Sequence, residues 1–153
     1  MGNPVLESID ILIVEDNPGD ARLIKEVLND SKVFNSMHLV NDGVEAMNFL
    51  RNEGKYAKMP KPDLIILDLN LPKKDGREVL AEIKADDELK HIPVVIMTIS
   101  QAEEDILKSY KLHANCYITK SIDLNEFIKV IKSIEDFWFS IVKLPPKNDL
   151  RKW

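Results

Sequence analysis

The chain holds a single cysteine, Cys116, so no internal disulfide framework is available to it. Set among strand-forming neighbours, Cys116 reads as a small buried apolar side chain rather than a redox group. Histidines are few, and His38, His91 and His113 are too scattered for metal-ligand spacing, so they read as structural or surface residues. Basic charge is also short: 21 Lys and Arg stand against 26 Asp and Glu, for a net charge of −5. That balance argues against a nucleic-acid partner held by a general basic surface. The basic residues Lys143, Lys147, Arg151 and Lys152 read as a solvated tail. No apolar run approaches the length of a membrane span. Glu7 and Asp10 stand where a signal peptide needs an apolar stretch. The expectation is a cytoplasmic chain with no membrane and no nucleic-acid attachment.

What is present is 153 residues, 44% hydrophobic and 31% charged, an ordinary globular balance with enough length for one sizeable core. One domain over 1–153 is expected, its core from about residue 9 to residue 142 and a tail over 143–153. Short apolar runs alternate with segments of helical period, the pattern of a repeating βα unit and a parallel sheet. Strands are expected over Ile9–Val14, Met37–Val40, Leu64–Leu67, Ile92–Met97 and Tyr117–Thr119. A first helix starts at Asn17-Pro18, with Ala21, Ile24, Val27 and Leu28 as its apolar stripe. Asp42 is placed to cap a second, holding Val44, Met47, Phe49 and Leu50. Residues 52–62 read as a long loop, residues 76–85 as a third helix, and Glu103–Lys111 as a fourth, capped by Ser100. Asp123 opens a long last helix with two apolar stripes. One holds Leu124, Phe127, Ile128, Ile131, Trp138 and Val142; the other holds Val130, Ile134, Phe137 and Ile141.

Chemistry collects where these strands stop. Glu15 and Asp16 follow Ile11-Leu12-Ile13-Val14, Asp68 follows Leu64-Ile65-Ile66-Leu67, Thr98 follows Val94-Val95-Ile96-Met97, and Lys120 follows Cys116-Tyr117-Ile118-Thr119. In open parallel sheets, the carboxyl edge of the strands is where sites are built. Three acids suit Mg²⁺, a hard cation that takes oxygen ligands, with a backbone carbonyl at Asn70 to complete the protein's share. Asp68, ending the central strand, is the candidate nucleophile for an acyl phosphate. Lys120 would pair with phosphoryl oxygens and Thr98 would donate its hydroxyl to another. Any one of these residues has a plainer explanation as a cap, a strand former or a surface charge. The full set, each member at a strand end, favours the site.

These motifs resemble the receiver domain of bacterial and archaeal two-component response regulators. The resemblance rests on Val14-Glu15-Asp16-Asn17, Leu67-Asp68-Leu69-Asn70-Leu71-Pro72, Asp75-Gly76, Pro93 to Thr98 and Tyr117 to Lys120. It covers Ile9 to Val142. More narrowly, Asp68 to Arg77, the 52–62 loop, and Ile134-Glu135-Asp136-Phe137-Trp138 with Lys143-Leu144-Pro145-Pro146 are similar to single-domain regulators that partner phytochrome-type sensor kinases. The resemblance implies a flavodoxin-like (βα)₅ three-layer sandwich, a five-stranded parallel sheet in order 2-1-3-4-5, and an extended C-terminal helix. It implies that Asp68 takes a phosphoryl group from a kinase phosphohistidine. Glu15, Asp16, Asp68 and Asn70 would hold Mg²⁺, and Thr98 and Lys120 would read the phosphoryl group. Tyr117 matches the family's aromatic switch, acting with Thr98; a packed strand aromatic is the other reading. The family commonly has proline after the lysine, where this chain has Ser121. A cis bond there costs about 2.5–4 kcal/mol without proline, so either the bond is trans or strain is held locally. Ser100 is too small to shield a phosphoryl group well, which implies a transient phosphoryl state.

No output module follows the receiver in this sequence, so signalling is expected to run through protein–protein binding. Val130, Ile134, Phe137 and Ile141 suggest a homodimer, because two adjacent apolar stripes are hard to cover within one small domain. The alternative is that the extra turns fold against their own domain. A downstream protein partner is also implied, without identity. The chain reads as a phosphoacceptor rather than an enzyme acting on a substrate pool. Two rivals stand beside it. One is a degenerate receiver that binds without phosphorylation, supported by Ser121. The other is a phosphohydrolase of the haloacid dehalogenase type, a family that carries its nucleophile on the first strand, whereas here the acidic pair comes first.

Overall fold

The computed structural model describes residues 9–29, 35–98 and 116–120, together with residues 102, 105, 129 and 133. Each strand is built on a short apolar run, and all lie in one parallel sheet. The strands are β1 (Ile9–Val14), β2 (Asn35–Val40), β3 (Leu64–Asp68), β4 (Val94–Thr98) and β5 (Cys116–Thr119), in the order β2-β1-β3-β4-β5. The pairings β1·β2, β1·β3, β3·β4 and β4·β5 are all parallel. A parallel sheet covered on both faces demands apolar side chains in both directions, so its central strands read as continuous rather than alternating runs.

The two-residue alternation divides these strands between two cores. Leu12, Val14, Ile65, Leu67, Val94 and Ile96 pack with Met47, Phe49, Leu50, Val79, Leu80 and Ile83. These helical residues come from α2 (Gly43–Leu50) and α3 (Gly76–Ala85). On the opposite face, Ile9, Ile11, Ile13, Leu64, Ile66, Val95 and Met97 pack with Ile24 and Leu28 of α1 (Pro18–Asn29). Burial of this kind is worth roughly 1.5–3 kcal/mol for each large apolar side chain.

The caps follow the sequence. Asn17 Oδ1 accepts the N–H of Asp20 at 3.0 Å, satisfying an open donor in the first turn of α1. Asp42 Oδ1 accepts the N–H of Glu45 at 2.8 Å, and Asp75 Oδ1 accepts that of Arg77 at 3.1 Å. Val44, unlike the other apolar residues expected in this helix, lies off its buried face. It is 41% exposed, because it lies roughly 100° round the helix from Gly43, off the arc of Gly43, Ala46, Met47 and Leu50 that faces the core. Strand β2 starts two residues earlier than its apolar run, at Asn35, and β4 starts two later, at Val94, after Pro93. The 52–62 segment contains a single 3₁₀ turn at Gly54–Tyr56. It is held by the Asn52 amide, which donates to the carbonyls of Tyr56 and Met59 at 3.1 and 2.6 Å.

Among the described residues no helix is long and apolar enough to cross a membrane. Residues 129 and 133 are helical. The expected interface residues Val130, Ile134, Phe137 and Ile141, the Glu103–Lys111 helix apart from residue 105, and Ser100 and Ser121 lie outside the described residues.

Candidate functional site

Strand geometry builds the site. Asp68 ends β3 on the face of Leu64 and Ile66, the face covered by α1. Glu15 follows β1, its N–H held by the Val40 carbonyl at 3.0 Å. Lys120 follows β5, two strands away from β3. The parallel sheet brings all of these strand ends to one edge, and Glu15, Asp16, Asp68 and Lys120 meet there. One carboxylate oxygen from each of Glu15, Asp16 and Asp68 lies within 4.8 Å of the others. Glu15 and Asp68 are buried at 1% and 2% exposure, and Asp16 is exposed.

The Asp68 carboxylate is held at both oxygens. Oδ1 accepts the Asn70 N–H at 3.0 Å, and Oδ2 accepts from Lys120 Nζ at 3.1 Å. Asn70 was expected to offer its carbonyl; its amide N–H is the group seen against Asp68. Glu15 is less well served. Oε2 accepts the Asn17 N–H at 3.0 Å. Lys120 Nζ lies 2.9 Å from Oε1, close enough for strong attraction, but that buried oxygen receives no properly directed hydrogen bond. Burial pushes the Glu15 carboxyl up to about 7, against the pull of Lys120 and the Asn17 N–H, and the neighbouring Asp68 adds to the rise. Burial also opposes charge on Lys120, but the carboxylates of Glu15, Asp20 and Asp68 outweigh it and hold the ammonium well above the usual lysine range.

This donor set fits a small hard dication. It offers only oxygens, three carboxylates converge, and the buried Glu15 Oε1 accepts no directed hydrogen bond although the Lys120 ammonium is near. With a nucleophilic carboxylate and an ammonium on the same oxygen, the arrangement can also receive a phosphoryl group.

Thr98 ends β4, beside β3, and Tyr117 lies in β5 opposite Ile96; their side chains are outside the described residues. Two residues at this edge, Asp20 and Gly43, were not singled out from the sequence, and a third, Gly76, was singled out without its structural reason. Asp20, in the first turn of α1, places Oδ2 2.9 Å from Lys120 Nζ. Its signal was its position, one turn past the acidic pair in a helix starting at that strand end. Gly43 and Gly76 are close-approach residues. A Cβ on Gly76 would sit 2.4 Å from the Asp68 carbonyl oxygen, and one on Gly43 would sit 2.0 Å from that of Lys74. Gly76 marked the family motif, but the reason for it is this contact, which lets α3 start directly against the Asp68–Leu69 turn.

Known proteins share this arrangement of strands and sequence. Residues 11–132 match the family described as the response regulator receiver domain. The chain is 53% identical over 135 residues to response regulator Rcp1 of Synechocystis sp. (strain ATCC 27184 / PCC 6803 / Kazusa), covering 88% of this chain and 92% of that protein. A solved structure of the phosphorylated cyanobacterial phytochrome response regulator RcpA is 57% identical, with a TM-score of 0.79 over 88% of this chain and 96% of its own. The Mn²⁺-bound form of Rcp1 is 52% identical, also at a TM-score of 0.79, over 90% and 99%.

Proposed function

Since the chain belongs to the response regulator receiver domain family, we propose that it is a phosphoacceptor in a two-component relay, with Asp68 as the residue that is phosphorylated. The observation that carries this reading is the Asp68 carboxylate itself: buried, held at Oδ1 by the Asn70 N–H and at Oδ2 by Lys120, with Glu15 and Asp16 beside it.

Asp68 attacks the phosphorus of a kinase phosphohistidine. A carboxylate O–P bond forms as the N–P bond breaks, and the imidazole leaves with the bonding pair. The Asn70 N–H on Oδ1 orients the carboxylate before attack, so less of the barrier goes to alignment. Lys120 then pairs with phosphoryl oxygens, and the Thr98 hydroxyl donates to another. Glu15, Asp16, Asp68 and the Asn70 carbonyl would hold Mg²⁺, which would supply neutralisation of the charge on the phosphoryl oxygens. Movement of Thr98 toward the phosphoryl group frees space for Tyr117 to turn inward, and the changed surface is the output. The chain is a signalling domain that contributes to its own phosphorylation and dephosphorylation, working in the cytoplasm without nucleic acid or membrane.

The relatives support a choice of partner. RcpA is described as a cyanobacterial phytochrome response regulator, and we assign this chain a sensor histidine kinase of the phytochrome type. A homodimer through Val130, Ile134, Phe137 and Ile141 and a downstream protein complete the reading. Intact mass after incubation with Mg²⁺ and a small acyl phosphate tests it. The expected result is one added phosphoryl group, absent without Mg²⁺ and absent in Asp68→Asn. A parent with neither adduct nor released phosphate would overturn the reading in favour of phosphorylation-independent binding.

A further inference from the structure

Lys120 carries one positive charge and meets three carboxylates. Nζ lies 2.9 Å from Glu15 Oε1, 2.9 Å from Asp20 Oδ2 and 3.1 Å from Asp68 Oδ2. Glu15 and Asp68 belong with Asp16 to the acidic triad. Asp20 does not. Its side chain is 41% exposed where those of Glu15 and Asp68 are 0% and 2% exposed, so its carboxylate lies at the rim of the site. Its position is set by α1, since Asn17 Oδ1 accepts its N–H at 3.0 Å.

An ammonium and a dication that share the same oxygens repel each other, and the repulsion is strongest away from water. A cation drawing on Glu15 and Asp68 therefore requires Lys120 to give ground. The ammonium can do so cheaply only toward another anion. Among the described residues, Asp20 is the one counter-ion of Lys120 outside the triad. We propose that Asp20 is a positioning residue: its carboxylate holds the Lys120 ammonium at the rim while a divalent cation takes the triad, keeping the ammonium within reach of a phosphoryl group on Asp68. The inference rests on the functional reading above.

Neutralising Asp20 acts twice in one direction. It removes an anion near the cation, and it returns the whole charge of Lys120 to Glu15 and Asp68. Mg²⁺ binding should weaken. The helix would also lose an acid from its first turn, a structural effect that stability reports and cation affinity does not.

The test is calorimetric titration of the full chain with Mg²⁺ at low ionic strength, with circular dichroism to check folding. Parent, Asp20→Asn, Asp20→Ser, Asp20→Glu, Lys120→Met and the Asp20→Asn/Lys120→Met double variant are compared. Either neutral variant is expected to weaken Mg²⁺ binding about three- to tenfold, and Asp20→Glu to stay within about twofold of the parent. In the Lys120→Met background, Asp20→Asn should weaken affinity less than it does in the parent, because only the direct loss of an anion remains. Unchanged affinity in both neutral variants would overturn the proposal. So would an equal loss with and without Lys120, which would make Asp20 a general charge. A parent that binds no Mg²⁺ would overturn the functional reading and this proposal together, so the two failures are distinguishable.

Discussion

At the amino end of the sheet, Asp10, His38 and Asp63 answer one another. Asp63 Oδ2 accepts the Asp10 N–H at 2.8 Å, the Asp10 carbonyl accepts the Asp63 N–H at 2.7 Å, and His38 Nε2 stands 3.2 Å from Asp10 Oδ1. At the carboxyl end, carboxylates again gather round one nitrogen-bearing side chain, the Lys120 ammonium, and do not balance. Three carboxylates face one ammonium, Asp16 stands beside two of them, and Glu15 Oε1 has that ammonium at 2.9 Å but no directed hydrogen bond. Both ends contain acids near strand termini, so a count of acids does not separate them. What separates them is unmet demand: one end is finished by its own side chains, and the other is left with an excess of negative charge that a cation would offset.

The largest effect should come from closing the space at the carboxyl end. Gly76→Ala puts a Cβ 2.4 Å from the Asp68 carbonyl oxygen. Backbone on both sides cannot yield as a side-chain tip would, so the cost is expected to be about 3 kcal/mol, read from the urea midpoint. Loss of adduct formation should accompany it, because the turn that carries Asn70 moves.

The next effect is charge and pH. The folded-state value for Glu15 of about 7 lies above its ordinary 4.5, so the folded chain binds more protons than the unfolded chain between those values. Without metal, the Glu15 contribution leaves stability unaffected below pH 4.5. Stability then falls as pH rises toward 7, and the full penalty persists above it. The drop is expected to reach about 3 kcal/mol at most. Urea midpoints across that range should lose this slope in Glu15→Gln and in excess Mg²⁺. At pH 8, Glu15→Gln should be more stable than the metal-free parent while binding Mg²⁺ poorly, the trade expected where a site holds unfavourable charge for use.

The smallest effect belongs to the amino end. Asp63→Ala removes the acceptor of the Asp10 N–H and is expected to destabilise by about 1 kcal/mol. Mg²⁺ affinity and phosphoryl uptake should not change. If Asp63→Ala altered either, the two ends would be coupled and the contrast between them would fail.

Much of the fold was legible because its strands are buried on both faces. Leu64 to Leu67 and Ile11 to Val14 leave no polar position to confuse with a helix, and α3 begins and ends where Gly76 and Ala85 place it. Asn35 and Ser36 were missed as the start of β2 because an edge strand tolerates polar residues that carry no apolar signal. Glu15, Asp16, Asp68 and Lys120 were legible as strand-end residues once a parallel sheet was assumed. Asp20 was not, because its partner Lys120 lies 100 residues further along and no local pattern records the meeting. Gly43 was hidden for the same reason: its obstacle is the Lys74 backbone, brought near only by the packing of α2 on the turn after β3.

The most direct test of the account is to identify the phosphorylated atom by chemistry. An aspartyl phosphate is an acyl phosphate, which borohydride reduces to homoserine, leaving a permanent mark at the acceptor. Peptide sequencing of the chain treated with Mg²⁺, an acyl phosphate and then borohydride should find homoserine at position 68 and no mark at Glu15, Asp16 or Asp20. Homoserine at Asp16 or Asp20, 2-amino-5-hydroxypentanoic acid at Glu15, or a stable adduct on a hydroxyl, would contradict the assignment of Asp68 as the phosphoacceptor.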